Sequence, residues 1–140
     1  MTARRALVAL LVAGLALTGC AAMPSAAYPT AVTPSPAPVA APPGGVLLTD
    51  EGMTYAPAGF SIPSGLMPAS TTNLSELVTV VFDGADGATV YQYLEANLDG
   101  MGCPMTASSA DSITWNCGVW AGAFTMTPSQ AALTLRRMAG

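Results

Sequence analysis

The run DSITWNCGVWAGAFTMTPSQAALTLRR, residues 111–137, carries the clearest structural pattern in this chain. Near its start, Ile113, Trp115 and Cys117 alternate with polar residues. A period of two with one apolar side is typical of a strand that buries one face. The segments on either side of this strand extend the pattern into a sheet.

The neighbouring segments predict three more strands. Residues 119–127 and 130–137 follow directly and are joined by a turn around Pro128, while residues 103–108 precede the run. Strand candidates separated by short turns predict an antiparallel meander.

A strand and a helix are predicted before the meander. The segment LVTVVF, residues 77–82, is apolar and rich in β-branched side chains, which favours a buried strand. Asp86 is placed to cap a helix over residues 88–98. Three apolar residues share one face of that helix: Val90, Leu94 and Leu98.

Together these elements predict an α+β fold. The expected domain has two layers, with one helix packed on an antiparallel sheet of about four to five strands. A short strand at residues 52–56 is predicted at one edge. Residues 57–75, rich in Pro, Gly and Ser, are predicted to form a loop that crosses the sheet.

Cys103 and Cys117 are predicted to form a disulfide that staples this domain. A turn centred on Ala110 places them opposite each other in an antiparallel hairpin, where two cysteines are close enough to bridge. A redox-active or metal-binding pair is the alternative, but the spacing is not CxxC and the chain has no His. A structural disulfide requires an oxidising compartment, and therefore export.

The N-terminus has the parts of an export signal. Arg4 and Arg5 form a basic leader, and residues 6–17 are an apolar run. At 1.5 Å per residue this run is about 18 Å long, too short to cross a hydrocarbon core of about 30 Å. Residues 1–19 are therefore predicted to be a signal peptide.

The tetrapeptide Leu17-Thr18-Gly19-Cys20 resembles the lipobox of bacterial lipoproteins. The resemblance implies that the Cys20 thiol receives a diacylglycerol group, that cleavage occurs just before Cys20, and that its amino group is often acylated as well, with a chain such as palmitate. An ordinary signal peptide with a cysteine at its cleavage site is the alternative. Because two or three acyl chains anchor firmly, the resemblance predicts an anchored protein on the extracytoplasmic side of the cell membrane.

Residues 20–45 are predicted to be the lipidated cysteine and a Pro/Ala-rich tether. Seven prolines and no charged residue lie between positions 21 and 45. Proline prevents helix and sheet ladders, so we expect a polyproline-like spacer that reaches about 75 Å when extended. Residues 46–140 remain for a single domain.

The charge of the mature chain excludes one class of partner. After residue 19 there are eight acids but only two bases, Arg136 and Arg137, a net charge of −6. Nucleic-acid binding requires many cationic contacts, and two cations also argue against electrostatic docking on anionic lipid.

The residues that could carry catalysis are few. The chain has no His, which removes imidazole bases and His-activated nucleophiles, and it has no Lys. The acid pairs Asp83/Asp86 and Glu95/Asp99 suit a turn, a cap and a helix surface, with a carboxylate-pair hydrolase as the alternative. We therefore expect no enzyme activity and no cofactor.

Two methionines raise the question of copper. Met101 and Met105 flank Cys103, and soft sulfur ligands suit Cu(I). A disulfide at Cys103 would remove the thiolate, so no metal is expected.

The strand predicted at 119–127 carries a candidate binding surface. Trp120, Phe124 and Met126 lie on one side of it, and if they point outward they form an apolar patch typical of a binding site. The inward orientation is favoured. The predicted function is a non-enzymatic binding or accessory module of the cell envelope, whose protein partner is met at a sheet edge or at this strand. The alternative is a carrier or sensor of a small apolar ligand held between helix and sheet.

Overall fold

A computed structural model describes residues 37–140 of the chain. This part contains eight strands and one α-helix. In chain order they are β1 (Gly45–Leu47), β2 (Ser61–Pro63), β3 (Ser70–Leu74), β4 (Leu77–Asp83), α1 (Gly87–Asn97), β5 (Met105–Ser108), β6 (Ser112–Cys117), β7 (Trp120–Met126) and β8 (Gln130–Arg137).

Six of the strands form one antiparallel sheet, in the order β3-β4-β8-β7-β6-β5. In the four inner strands, β4, β6, β7 and β8, buried side chains alternate with more exposed ones, so one face of the sheet is buried. The buried side chains on this face include Val80, Phe82, Leu133, Phe124 and Trp115. Burial of such a face is the main source of stability for a domain of this size.

The helix and the small sheet β1-β2 cover this buried face. Val90 and Leu94 of α1 are fully buried against it. Phe60, just before β2, stacks on Trp115 of β6 with ring centroids 5.7 Å apart and planes 14° apart. The second layer is therefore part helix and part short β-structure.

The opposite face of the large sheet carries small, mostly uncharged side chains. The strand register places Thr72 beside Thr79 and Thr79 beside Thr134 across β3, β4 and β8. Within residues 37–140 no other element is paired with or stacked on this face.

The predicted α+β fold class is wrong. The described chain is mostly β, with eight strands in two antiparallel sheets and one short helix, rather than one helix on a single sheet of four to five strands. The difference comes from three strands before residue 77, which are short and in which the period-two pattern is not detectable.

Two local predictions in this region are also wrong. Residues 52–56, predicted to be an edge strand, form turns, and residues 57–75, predicted to be a loop, contain β2 and β3. The sequence of β2 is only SIP, and proline is a weak strand signal. The sequence of β3 is STTNL, and none of its five side chains is buried, so it lacks the apolar alternation that identifies a strand.

From residue 77 onward the elements agree closely with the sequence. The helix buries the predicted face, Val90, Leu94 and Leu98. Its predicted cap differs, since Asp86 makes no side-chain capping bond, whereas Asp83 accepts a hydrogen bond from the Ala85 N–H at 3.1 Å and caps the preceding 3₁₀ turn. Among residues 37–140, α1 is too short to span a bilayer.

Candidate interaction surface

The three residues proposed for the aromatic patch point into the domain. Trp120 is 8% exposed, Phe124 is fully buried, and Met126 is partly buried against the core. Gly122 lies between Trp120 and Phe124 on the same side of β7, and the Trp115 indole occupies the space that a Cβ at Gly122 would fill. These aromatic side chains therefore build the core and are not available on the surface.

The space between helix and sheet is filled by side chains. Val90 and Leu94 of the helix and Ile113 and Phe124 of the sheet belong to one core cluster, and all four are fully buried. A surface depression of about 360 Å³ lies elsewhere, between residues 39–42 and the end of α1 with the turn that follows it, residues 96–101. A small apolar ligand has no ready-made cavity between the two layers of the described domain.

The predicted disulfide between Cys103 and Cys117 is confirmed. The two Cα atoms are 4.4 Å apart, and both residues are largely buried. Cys117 ends β6, and Cys103 lies two residues before β5. The bond therefore ties the start of β5 to the sheet.

Of the two methionines near Cys103, Met101 packs against the core and accepts hydrogen bonds, whereas Met105 is exposed on β5. The Met101 Sδ accepts hydrogen bonds from the Ser61 N–H at 3.3 Å and from the Ser61 Oγ at 3.1 Å. The Tyr93 hydroxyl lies 2.7 Å from the same Ser61 Oγ, which completes a small, partly buried network. Because Cys103 is in the disulfide, no thiolate faces these thioethers.

The acidic residues do not converge on one point. Asp83 caps a turn, while Glu95 and Asp99 are exposed on and after the helix. Within residues 37–140 no group of three or more His, Cys, Asp or Glu residues is arranged to hold a metal ion.

The two edges of the large sheet differ. At one edge, β5 has four residues and its register with β6 shifts at Thr106, between Met105 and Ala107. Bulges and short strands blunt an edge against pairing with another chain. At the other edge, β3 pairs with β4 in unbroken register over five residues, with no proline and no charge in the strand.

The hydrogen bonds around β4 show which backbone groups of β3 point outward. Arg137 N–H donates to the Glu76 carbonyl at 2.9 Å, so residue 76 and every second residue after it face β8. Leu77, Thr79 and Val81 therefore face β3, because antiparallel partners alternate. Their partners are Leu74, Thr72 and Ser70, which leaves the N–H and C=O groups of Thr71 and Asn73 directed away from the sheet.

A polar anchor holds β3 against the turn at residues 52–55. The Asn73 side-chain amide donates to the Gly52 carbonyl at 3.1 Å and to the Thr54 Oγ1 at 3.2 Å. Its Oδ1 accepts from the Tyr55 N–H at 3.1 Å. Asn73 therefore fixes the strand without using the outward backbone groups.

Large apolar side chains are exposed around the β3 edge. Tyr55 is 52% exposed beside Asn73, Leu74 is 57% exposed at the end of the strand, and Met67 is 87% exposed shortly before its start. Exposed apolar side chains beside unpaired backbone groups are the features of a strand-addition site.

The sequence prediction placed a partner at a sheet edge but did not identify this one. The one available signal was the pair of β-branched residues Thr71 and Thr72, followed by the Ser75–Glu76 turn and then a clear strand.

Residues 1–36, including the proposed lipidation site Cys20, lie outside the described residues. No family model, curated protein or solved structure matches the chain.

Proposed function

We propose that this protein is an exported, membrane-anchored lipoprotein whose domain is a non-enzymatic binding module of the cell envelope. The lipid would be attached at Cys20, and the partner would be another envelope protein. The observation that carries the binding role is the β3 edge, which no strand of residues 37–140 covers. Thr71 and Asn73 direct backbone groups outward there, and exposed apolar side chains surround it.

The anchoring part of the proposal rests on the N-terminal sequence. The basic leader, the short apolar run and Leu17-Thr18-Gly19-Cys20 stand in the order required for lipidation. The disulfide supports an oxidising location, because such bonds persist mainly in exported proteins.

A carrier of a small apolar ligand is the alternative function. It requires a cavity between the helix and the sheet, where the described domain has close-packed side chains instead. No observation on residues 37–140 favours the carrier over the binding module.

Fractionation of cells that express Cys20→Ala tests the anchor. We expect the unaltered protein in the membrane fraction and the variant in the soluble exported fraction, with the thermal unfolding of its domain unchanged. The matched control replaces the other two cysteines, Cys103→Ala with Cys117→Ala, and should remain in the membrane. Retention of Cys20→Ala in the membrane would contradict lipid anchoring.

A further inference from the structure

We infer that the β3 edge is the binding site for one extended segment of a partner protein, which adds to the large sheet as a seventh strand. This inference rests on the proposed binding function and names the surface, the mode and the chemistry of the partner. The partner segment is a strand with basic residues at the end that lies beside Asn73.

The free backbone groups determine the kind of partner. Only the N–H and C=O groups of Thr71 and Asn73 face outward from β3, and they are two residues apart on the same edge. Such a row is satisfied best by another extended backbone, since a strand repeats its outward groups every two residues. A globular surface without an extended segment would leave these groups unmatched.

The hydrogen bonds of Asn73 hold β3 in the extended conformation that a partner strand would pair with. Asn73 makes three side-chain hydrogen bonds to residues 52–55, between 3.1 and 3.2 Å, so the strand is held before a partner arrives. A pre-ordered strand lowers the entropy that binding must overcome. The opposite edge, β5, lacks this regularity because of its bulge.

Negative charge close to β3 favours a partner segment with basic residues beside the paired stretch. Asp50 and Glu51 are exposed in the turn that precedes Gly52, and the Gly52 carbonyl is the group that Asn73 binds. The backbone of Asp50 and Glu51 therefore lies near the Asn73 end of the strand. Arg136 and Arg137 lie at the same end of the sheet but on β8, two strands further in. They are about 10 Å from the edge at the usual strand spacing, about one Debye length, so they offset the charge of these acids only in part.

The same charges argue against a second copy of this chain as the occupant. Two β3 strands that paired in parallel would bring Asp50 and Glu51 of both copies to the same end. An antiparallel pair would place the Ser70 end of one copy, which has no Lys or Arg, beside these acids of the other. A partner segment with Lys or Arg at that end gains attraction instead and avoids the repulsion.

The test uses photo-cross-linking of the full chain in the cells that produce it. A benzophenone side chain is placed at Thr72 on β3. In matched variants it is placed at Thr106 on β5 and at Thr134 of β8, on the face of the large sheet opposite the core. We expect an adduct to a second protein from position 72 and none from position 106. Mass spectrometry of the adduct should map to a segment without proline in the paired stretch and with Lys or Arg at one end.

Two further variants separate strand addition from simple proximity. Thr71→Pro removes an outward N–H and should lower the adduct yield by about tenfold, whereas Thr71→Val keeps the N–H and should leave the yield unchanged. The double variant Asp50→Asn with Glu51→Gln changes only exposed side chains, so the domain should still fold, and it should lower the adduct yield by about threefold.

The remaining outcomes decide between this inference and the proposed function. Adducts from position 106 or 134 but not from 72 would overturn the β3 assignment and leave the binding function standing. An adduct from position 72 that persists in Thr71→Pro, or one to a second copy of this chain, would also overturn the inference. No adduct from any of the three positions would contradict both.

Discussion

The two edge strands of the large sheet contribute no buried side chain, yet they are secured in different ways. β5 is held by a covalent bond, because Cys103, just before it, is joined to Cys117 of β6. β3 is held by a side-chain anchor, Asn73, and by its regular pairing with β4. The first edge is stapled and irregular, whereas the second is regular and open. The comparison indicates that exposed strands need support from outside the core, and that the kind of support determines whether an edge can accept a partner.

Removal of the disulfide should give the largest effect, and only on the β5 side. We expect Cys103→Ala with Cys117→Ala to lower the free energy of unfolding by about 3 kcal/mol, as for a closed loop of this size. Urea unfolding followed by tryptophan fluorescence measures the loss. Amide exchange should accelerate over residues 105–108 more than over residues 70–74, and an equal acceleration at both edges would contradict the view that each edge has its own support.

Proline substitutions should distinguish the two sides of β3. Thr72→Pro removes an N–H that faces β4 and should lower the free energy of unfolding by about 2 kcal/mol. Thr71→Pro removes an N–H that faces outward and should change it by less than about 0.5 kcal/mol. Thermal or urea unfolding of both variants checks the difference, and the reverse order would show that the assigned direction of these groups is wrong.

Loss of the anchor should have a smaller effect. Asn73→Ala removes three side-chain hydrogen bonds at an exposed site, and we expect a loss of about 1 kcal/mol. Asn116→Ala is the matched control, since Asn116 is exposed on β6 and its side chain makes no hydrogen bond within residues 37–140. Equal stability of the two variants would remove the anchoring role of Asn73.

How well the sequence predicts each strand depends on whether that strand buries one of its sides. Residues 77–137 were assigned closely because their strands bury one side, as in Ile113, Trp115 and Cys117, and burial leaves a period-two pattern in the sequence. β3 has no buried side chain and β2 has three residues, so neither leaves such a pattern. The predicted fold class is wrong for this reason, although the strand and helix predicted at residues 77–98 and the four strands predicted from residue 103 onward agree with the structure apart from their exact ends.

The candidate site was less predictable than the core. The position of Cys103 opposite Cys117 followed from a local hairpin, which the sequence encodes in adjacent segments. The β3 edge depends on Asn73 meeting residues 52–55, about twenty positions away, and on which strand ends the sheet. The contact of Asn73 with residues 52–55 and the order of the strands are properties of the tertiary structure. The local sequence pattern of β3 does not specify them.

Residue-resolved hydrogen exchange of the free, full-length protein tests the central claim, that β3 is an ordered strand with one open side. We predict that the Thr72 amide, which faces β4, exchanges at least about tenfold more slowly than the amides of Thr71 and Asn73, which face outward. Slow exchange at all three would mean that this edge is already covered. Fast exchange at all three would mean that β3 is not a stable template, and either result would contradict the account.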